Sequence, residues 1–224
     1  MVYAMLSSGI SWVRVEQYIN PETRQLTKID EIFLDYDPRH LLQTNPSDLH
    51  QKVLELKCGS VQTGKQMEAL IHTNIPKLLQ IEAKYGSIDA YDQDLIQKDP
   101  SMKSLVAALA SAGRTYKMVQ MAEALVCEYL RNVGYDLPKP DRHICRILGG
   151  SALGCSEKEK VPVYDAMDIV VQLAEELQKP CAEVDYILWS YCATGFGKVC
   201  TKQYYHCGGC SAAQYCKRGQ VYCS

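Results

Sequence analysis

Four cysteines near the end of the chain form its most distinctive chemical feature. They lie in CTKQYYHCGGCSAAQYC, residues 200–216, with the spacing C-x6-C-x2-C-x5-C, and they are four of eleven cysteines. The opening residues MVYAMLSSGISW lack the basic and long apolar regions of an export signal. We therefore expect a cytoplasmic protein. Thiols stay reduced there, and clustered cysteines are more typical of metal ligands than of disulfides.

The unequal intervals favour an iron–sulfur cluster over zinc. Structural zinc sites usually combine two close cysteine pairs, whereas this segment has one C-x2-C pair flanked by two single cysteines. Gly208 and Gly209 lie inside that pair and leave room for the backbone to approach inorganic sulfide. Zinc remains the alternative, and Cys223 is a weak rival ligand. The predicted ligands are Cys200, Cys207, Cys210 and Cys216.

Asp141 is the second residue with chemical potential. It follows two prolines in LPKPDRH, residues 137–143, where a helix should begin. A carboxylate held at such a position can stabilise developing positive charge or orient a water molecule. The alternative is purely structural, because Asp before a helix commonly serves as its N-cap.

The elements that position these residues are predicted to be mostly α-helical. Apolar residues recur at helical spacing in most of the chain after residue 45, between capping and proline or glycine signals. The first 45 residues differ: two β-branched and aromatic segments flank NPETRQ, which favours a small β-hairpin. The predicted helical segments are 45–57, 65–86, 99–113, 114–134, 161–180 and 182–192.

Together the two motifs resemble those of the helix-hairpin-helix (HhH-GPD) DNA glycosylases, specifically the endonuclease III and adenine-glycosylase branch. The cysteine spacing resembles that branch's 4Fe-4S signature, and VDYILWSYC resembles the helix that leads into it. EYLRNVGYD followed by DRH is also similar to archaeal 8-oxoguanine glycosylases of the superfamily. The resemblance spans residues 50–216. It implies a two-part helical fold that binds DNA across a cleft, flips out a modified base, and uses Asp141 for catalysis.

The same resemblance predicts a monofunctional enzyme. Bifunctional members carry a Lys on the hairpin, whose amine attacks C1′ and forms a Schiff base. The matching position here is Glu123, Ala124 or Thr115, depending on the register. The hairpin glycines are also missing in the register that fits Asp141 best, where Gln120 to Ala122 stand instead.

The expected partner is double-stranded DNA with a modified base, bound by a monomer away from any membrane. The net charge of -2 gives no global attraction to nucleic acid, so binding would need a local basic face. Gln62 matches the glutamine that such enzymes insert into the duplex. The predicted DNA-binding residues are Gln62, Arg114, Lys117, Lys139, Arg142, Arg146 and Lys202.

Four segments follow from this interpretation: an N-terminal extension (1–45), a helical glycosylase domain (46–199), the cluster loop (200–216) and a tail (217–224). Two other interpretations remain open. One is an iron–sulfur DNA-binding module of the same fold with altered catalysis, favoured by the missing glycines. The other is a zinc protein with an unrelated helical fold.

Overall fold

The computed structural model describes residues 1–8, 12–23, 27–193, 197, 199–201 and 205–223. In these residues the protein is mostly α-helical and has one isolated antiparallel bridge, so the predicted fold class is confirmed at this level. The chain divides into two compact units, Met1–Tyr129 and Leu130–Ser224. No helix in the described part has the length and apolar character needed to cross a bilayer.

The helices are named in chain order. Those that begin in the first unit are α1 (Val2–Leu6), α2 (Trp12–Glu16), α3 (Thr27–Ile32), α4 (Pro38–Leu41), α5 (Pro46–Glu55), α6 (Thr63–Ala69), α7 (Ile75–Tyr85), α8 (Ile88–Lys98), α9 (Lys103–Ala110) and α10 (Glu123–Asn132). Those that follow are α11 (Arg142–Ile147), α12 (Val163–Leu177), α13 (Cys181–Ser190) and α14 (Lys217–Tyr222).

Side-chain caps explain several helix starts. The Asn45 side chain accepts a hydrogen bond from the Ser47 amide, and Pro46 occupies the first turn of α5. Ser87 caps α8 by accepting from the Ala90 amide. These polar residues satisfy amides that have no partner within their helix, so the boundaries are encoded locally.

The predicted N-terminal hairpin is wrong. Trp12–Glu16 and Thr27–Ile32 are helical, and only the turn between them survives, with Asn20 accepting from the Glu22 and Thr23 amides. The apolar residues Ile29 and Phe33 are four positions apart and both buried. That spacing matches one helical turn, so a helix buries both side chains. This burial decides the local structure here, despite the β-propensity of the residues.

The helix predicted for residues 65–86 contains Pro76, and a π-helical turn precedes this proline in the structure. Leu70–Asn74 forms this wider turn between α6 and α7, and Pro76 lies in the first turn of α7. Proline lacks an amide hydrogen and clashes with the preceding turn of a helix, so a local change of helical pitch accommodates it. The turn places Asn74 fully inside the first unit.

Residues 111–122 form a loop between α9 and α10, although a helix was predicted from residue 114. The Asn74 amide holds this loop from both sides, accepting from the Val119 amide at 2.7 Å and donating to the Val119 carbonyl at 3.0 Å. Lys117 Nζ donates to the carbonyls of Met118 and Met121. These contacts satisfy backbone groups that a helix would otherwise pair, and the two bonds from Asn74 span 45 positions of the sequence.

The second unit has a core built on α11, α12 and α13. Its largest apolar contributors come from facing positions of these helices and from the loop that joins α11 to α12. The buried residues are Ile144, Cys145, Ile147, Leu148, Val161, Ala166, Val170, Ala174, Cys181, Val184 and Cys192. Cys200 packs against this core, so the start of the cysteine loop is attached to it.

Replacing Asn74 with Ala should destabilise the first unit by about 2 kcal/mol. The Asn74 side chain is fully buried, and without it the amide and the carbonyl of Val119 lose their hydrogen-bond partner. Chemical denaturation followed by circular dichroism measures the change.

His72→Ala is the control, since His72 is exposed in the same π-helical turn. Equal denaturation midpoints for Asn74→Ala and the unmodified protein would contradict the role assigned to Asn74.

Candidate functional site

Asp141 caps α11 in the second unit. Its Oδ1 accepts hydrogen bonds from the amides of His143 at 2.7 Å and Ile144 at 3.1 Å. The side chain is half-buried, and both bonds use the same carboxylate oxygen. The N-cap role considered from the sequence is therefore present. It fixes the carboxylate at the start of the helix.

The segment that leads to Asp141 is attached to the start of α13. Asp136 accepts from the amides of Cys181 and Ala182, both at 3.0 Å. These are the first two residues of α13, whose amides have no partner within the helix. Asp136 thereby acts as a cap supplied from 45 residues away, and it holds the proline-containing segment against the second unit.

Asp185 makes a second attachment from within α13. Its carboxylate, only 3% exposed, pairs with Arg131 Nη1 at 2.8 Å and accepts from the Lys139 amide at 2.9 Å. Burial raises the pKa of Asp185 to about 6. Arg131 and the Lys139 amide oppose that shift, and the charge of Asp141 adds to it. The Asp141 and Asp185 carboxylates are thus close enough to interact electrostatically.

Arg146 connects the helix of Asp141 to the cysteine loop. Its Nη2 donates to the Cys200 carbonyl at 2.7 Å and lies 3.5 Å from His143 Nδ1. Burial lowers the pKa of His143, and the nearby Arg146 charge lowers it further, while Asp141 acts in the opposite direction. The helix that Asp141 caps is therefore bonded, through the Arg146 guanidinium, to the backbone of the first motif cysteine.

The cysteine loop is anchored at its first residue. The Tyr191 carbonyl, at the end of α13, accepts from the amides of Val199 at 2.9 Å and Cys200 at 2.8 Å. Cys200 and Tyr205 form an antiparallel bridge. The Tyr191 hydroxyl and Ser211 Oγ share a hydrogen bond of 2.8 Å. The loop is consequently fixed near Cys200 and again immediately after Cys210.

Two short 3-10 turns carry the remaining cysteines. Cys207–Gly209 forms the first turn, and Ala213–Tyr215 forms the second, immediately before Cys216. A Cβ added to Gly208 would meet nothing within 4 Å, and the same holds for Gly209. Space is therefore available beside the C-x2-C pair, as a bulky inorganic group would require.

Cys200 has the electrostatic surroundings of a thiolate. The Cys192 thiol donates a hydrogen bond to it, and Arg218 Nη1 lies 3.1 Å from its Sγ. The bond from Cys192, together with the Arg218 charge, lowers the pKa of Cys200 to about 6 against the effect of burial. The same bond, with burial, raises the pKa of Cys192. A thiolate is the form of cysteine that binds metals.

Cys207 lies within electrostatic range of the other thiols. Burial is the main cause that raises the pKa of Cys207, and the neighbouring thiols, among them Cys223 and Cys216, raise it further. The cysteines of the described residues are free rather than disulfide-bonded. No group of three or more Cys, His, Asp or Glu residues in the described part of the chain is placed to hold one metal ion. By chemical type, four free thiols within seventeen residues are the donors that an iron–sulfur cluster uses.

The predicted DNA-binding residues differ in their solvent exposure and in whether their side chains already bond to the protein. In the first unit Gln62 and Arg114 are exposed, whereas the Lys117 ammonium is bonded to loop carbonyls. In the second unit Arg142 is exposed and Lys139 is half-buried. The Arg146 guanidinium is bonded to the Cys200 carbonyl. Lys202 lies outside the described residues.

Three residues important to this geometry were missed from the sequence. Asp185 stands in the apolar stretch VDYILW, and an acid inside a buried helical segment is a usable signal of a paired charge. Arg218 is two residues beyond the last motif cysteine, where nothing in the spacing draws attention to it. Cys192 is buried in the core, and the cysteine spacing gives no sign of its bond to Cys200.

Comparisons with known proteins give this chain no relative: no protein-family model, no curated protein and no solved structure matches it.

The stability of Asp185→Asn relative to the unmodified protein should depend on pH. The pKa of Asp185 is about 6 in the folded protein, above its usual value of 3.8, so the folded state binds the proton more tightly. Lowering the pH from about 7 to about 5 should therefore raise the free energy of unfolding of the unmodified protein by about 1 kcal/mol relative to Asp185→Asn. Urea titrations at both values measure it.

Asp165→Asn is the control, because Asp165 is exposed, 56% by side chain, in its contact with Lys158. The opposite sign, with the unmodified protein losing stability against Asp185→Asn as the pH falls, would contradict the raised pKa.

Proposed function

We propose that the protein is a DNA glycosylase that hydrolyses the N-glycosidic bond of a modified base, with Asp141 as the catalytic carboxylate and a 4Fe-4S cluster in the cysteine loop. The observation that carries this proposal is the bond from Arg146 to the Cys200 carbonyl. It joins the helix capped by Asp141 to the first cysteine of the loop. Two motifs that resemble those of one enzyme family thus share a single structural unit.

The chemistry assigned to Asp141 follows from its placement. As the bond to the base breaks, positive charge develops on the deoxyribose, and a nearby carboxylate stabilises it. Oδ1 is held by two helix amides, so the group needs little reorganisation during the reaction. Water then adds at C1′ and gives up a proton, while the departing base takes up a proton, which completes a hydrolysis.

Cys200, Cys207, Cys210 and Cys216 would hold the cluster. When bound, the cluster would serve as a cross-link that fixes the loop rather than as a reactant. The open space beside Gly208 and Gly209 and the thiolate character of Cys200 support this assignment. The bond from Tyr191 to Ser211 would keep the loop in place beside α13.

A strand-cleaving activity is not part of the proposal. The positions that would carry a nucleophilic Lys hold Glu123, Ala124 or Thr115, and Lys117 matches none of them. Lys117 Nζ is bonded to the carbonyls of Met118 and Met121, which suits a role in holding its own loop. The predicted product is therefore an abasic site in an intact strand.

A second candidate is a DNA-binding module that no longer excises bases. The loop of residues 111–122 favours it, because it replaces the short glycine-containing hairpin that the resemblance implies. Gln120 adopts φ of 60°, a left-handed conformation that glycine would take without strain. The Val119 amide also donates to Asn74 Oδ1, leaving one amide fewer in this loop for a phosphate.

Asp141→Asn should abolish base release, with a loss of at least about a hundredfold in single-turnover rate, because the amide carries no charge to offset the oxocarbenium ion. The assay is a panel of duplexes, each with one modified base, in which abasic sites are revealed by alkali. Folding of the variant is checked by circular dichroism.

Asp165→Asn serves as the matched control, since it makes the same substitution at an exposed carboxylate of the second unit. The same reactions with borohydride should trap no covalent adduct. Base release by Asp141→Asn at the unmodified rate would overturn the catalytic assignment, and binding of the duplexes without release by either protein would favour the second candidate.

The anaerobically purified protein should be brown and contain iron and acid-labile sulfide in equal amounts. Serine at Cys207 or Cys210 should lower both contents severalfold, because an alcohol is a poor ligand for iron. Cys127→Ser is the control, a buried cysteine far from the motif in sequence. Stoichiometric zinc in a colourless protein would refute the cluster and favour the zinc interpretation.

A further inference from the structure

Arg218 is a buried cation at the cysteine loop that neither motif includes. Its side chain belongs to a residue only 7% exposed, although arginine is almost always exposed unless paired. Nη1 donates to Cys200 Sγ at 3.1 Å, and Nη2 donates to Ser151 Oγ at 2.8 Å. The guanidinium carbon lies 4.0 Å from the centre of the Tyr205 ring. Every one of these partners belongs to the second unit.

The backbone around Arg218 fixes this position. The Lys217 amide donates to the Ala152 carbonyl at 2.9 Å, which attaches the start of α14 to the segment of Ser151. On the other side, a Cβ on Gly219 would lie 2.1 Å from the Ala213 carbonyl oxygen. Only glycine permits such close packing of α14 against the turn before Cys216. Arg218 is therefore held between two tightly packed neighbours.

The charge of Arg218 needs an anion close by. Within the described residues no carboxylate lies at salt-bridge distance from its guanidinium. Ser151 is neutral, and its own hydroxyl donates to Glu159, an exposed residue one step further away. The sulfur of Cys200 is the one directly bonded group that can carry a full negative charge. A buried cation without a counter-charge would be strongly unfavourable.

We propose that Arg218 is the counter-ion of the metal-bound Cys200 sulfur, and that it raises the reduction potential of the iron–sulfur centre. This rests on the cofactor assigned under the proposed function. A nearby positive charge stabilises the reduced cluster, which carries one more negative charge than the oxidised one. A hydrogen bond to a ligating sulfur acts in the same direction. Arg218 is a positioning residue in this role and touches no substrate.

The test is an anaerobic redox titration of the iron-loaded full chain. Arg218→Met should shift the midpoint potential to a more negative value and speed the loss of iron to a chelator. Arg218→Lys keeps the charge and should remain closer to the unmodified protein. Lys217→Met removes an adjacent but exposed charge, which solvent and salt screen. It should leave the potential unchanged.

The outcomes separate this inference from the proposed function. A midpoint potential in Arg218→Met equal to that of the unmodified protein overturns it, as does an equal negative shift in Lys217→Met. If Arg218→Met retains no iron, Arg218→Lys decides: a potential near that of the unmodified protein supports the inference, and one shifted far to negative values overturns it. Iron-free unmodified protein refutes both this inference and the cluster. If the protein carries the cluster but releases no base, the negative shift of the midpoint potential in Arg218→Met is still expected.

Discussion

The burial of charged groups among small helices is the constraint on which the second unit depends. Asp185 and Arg218 are both more than nine-tenths buried, and each is compensated by groups from other segments of the chain. Asp185 takes Arg131 and the amide of Lys139. Arg218 takes the sulfur of Cys200. Because unpaired buried charge is so unfavourable, these pairings determine which loops can pack together.

Those pairings also place the candidate site. The segment before Asp141 is short and rich in proline, so it has few amides to pair and little conformational freedom. Asp136 and Asp185 attach it to α13 at two points. Arg146 then extends the connection from α11 to the cysteine loop. Apolar packing alone would hold these helices together, but directional bonds to named carbonyls and amides fix where each loop lies.

The sequence predicted the features that depend on local chemistry. The helix start at Asn45 follows from a cap within two residues, and the mostly helical class follows from apolar periodicity. Helix α8 was missed, although Ser87 caps it just as locally. The predictions failed where distant contacts decide. Residues 114–122 have helical propensity, yet Asn74, 45 positions away, pairs with both backbone groups of Val119. The first 45 residues failed for a different reason, because apolar residues four apart, such as Ile29 and Phe33, share one face in a helix and in a strand alike.

In the candidate site, too, the local features could be predicted from the sequence and those that depend on distant contacts could not. Cysteine spacing is a one-dimensional signal, so the proposed ligands could be predicted without coordinates, whereas the charge that faces them could not. Arg218 acquires its role only because α14 folds back against Ala152 and Ala213. Its neighbour Lys217 has the same charge in the sequence and lies exposed.

The two interpretations of Asp141 are physically compatible. An N-cap usually accepts one or two amide hydrogen bonds, and Asp141 accepts both through Oδ1. Such a carboxylate is oriented in advance, which is what stabilising a short-lived cation requires. Capping would then be the means of positioning rather than a competing role. The charge is what distinguishes the two, because Asn caps a helix as well as Asp does but cannot offset a positive sugar.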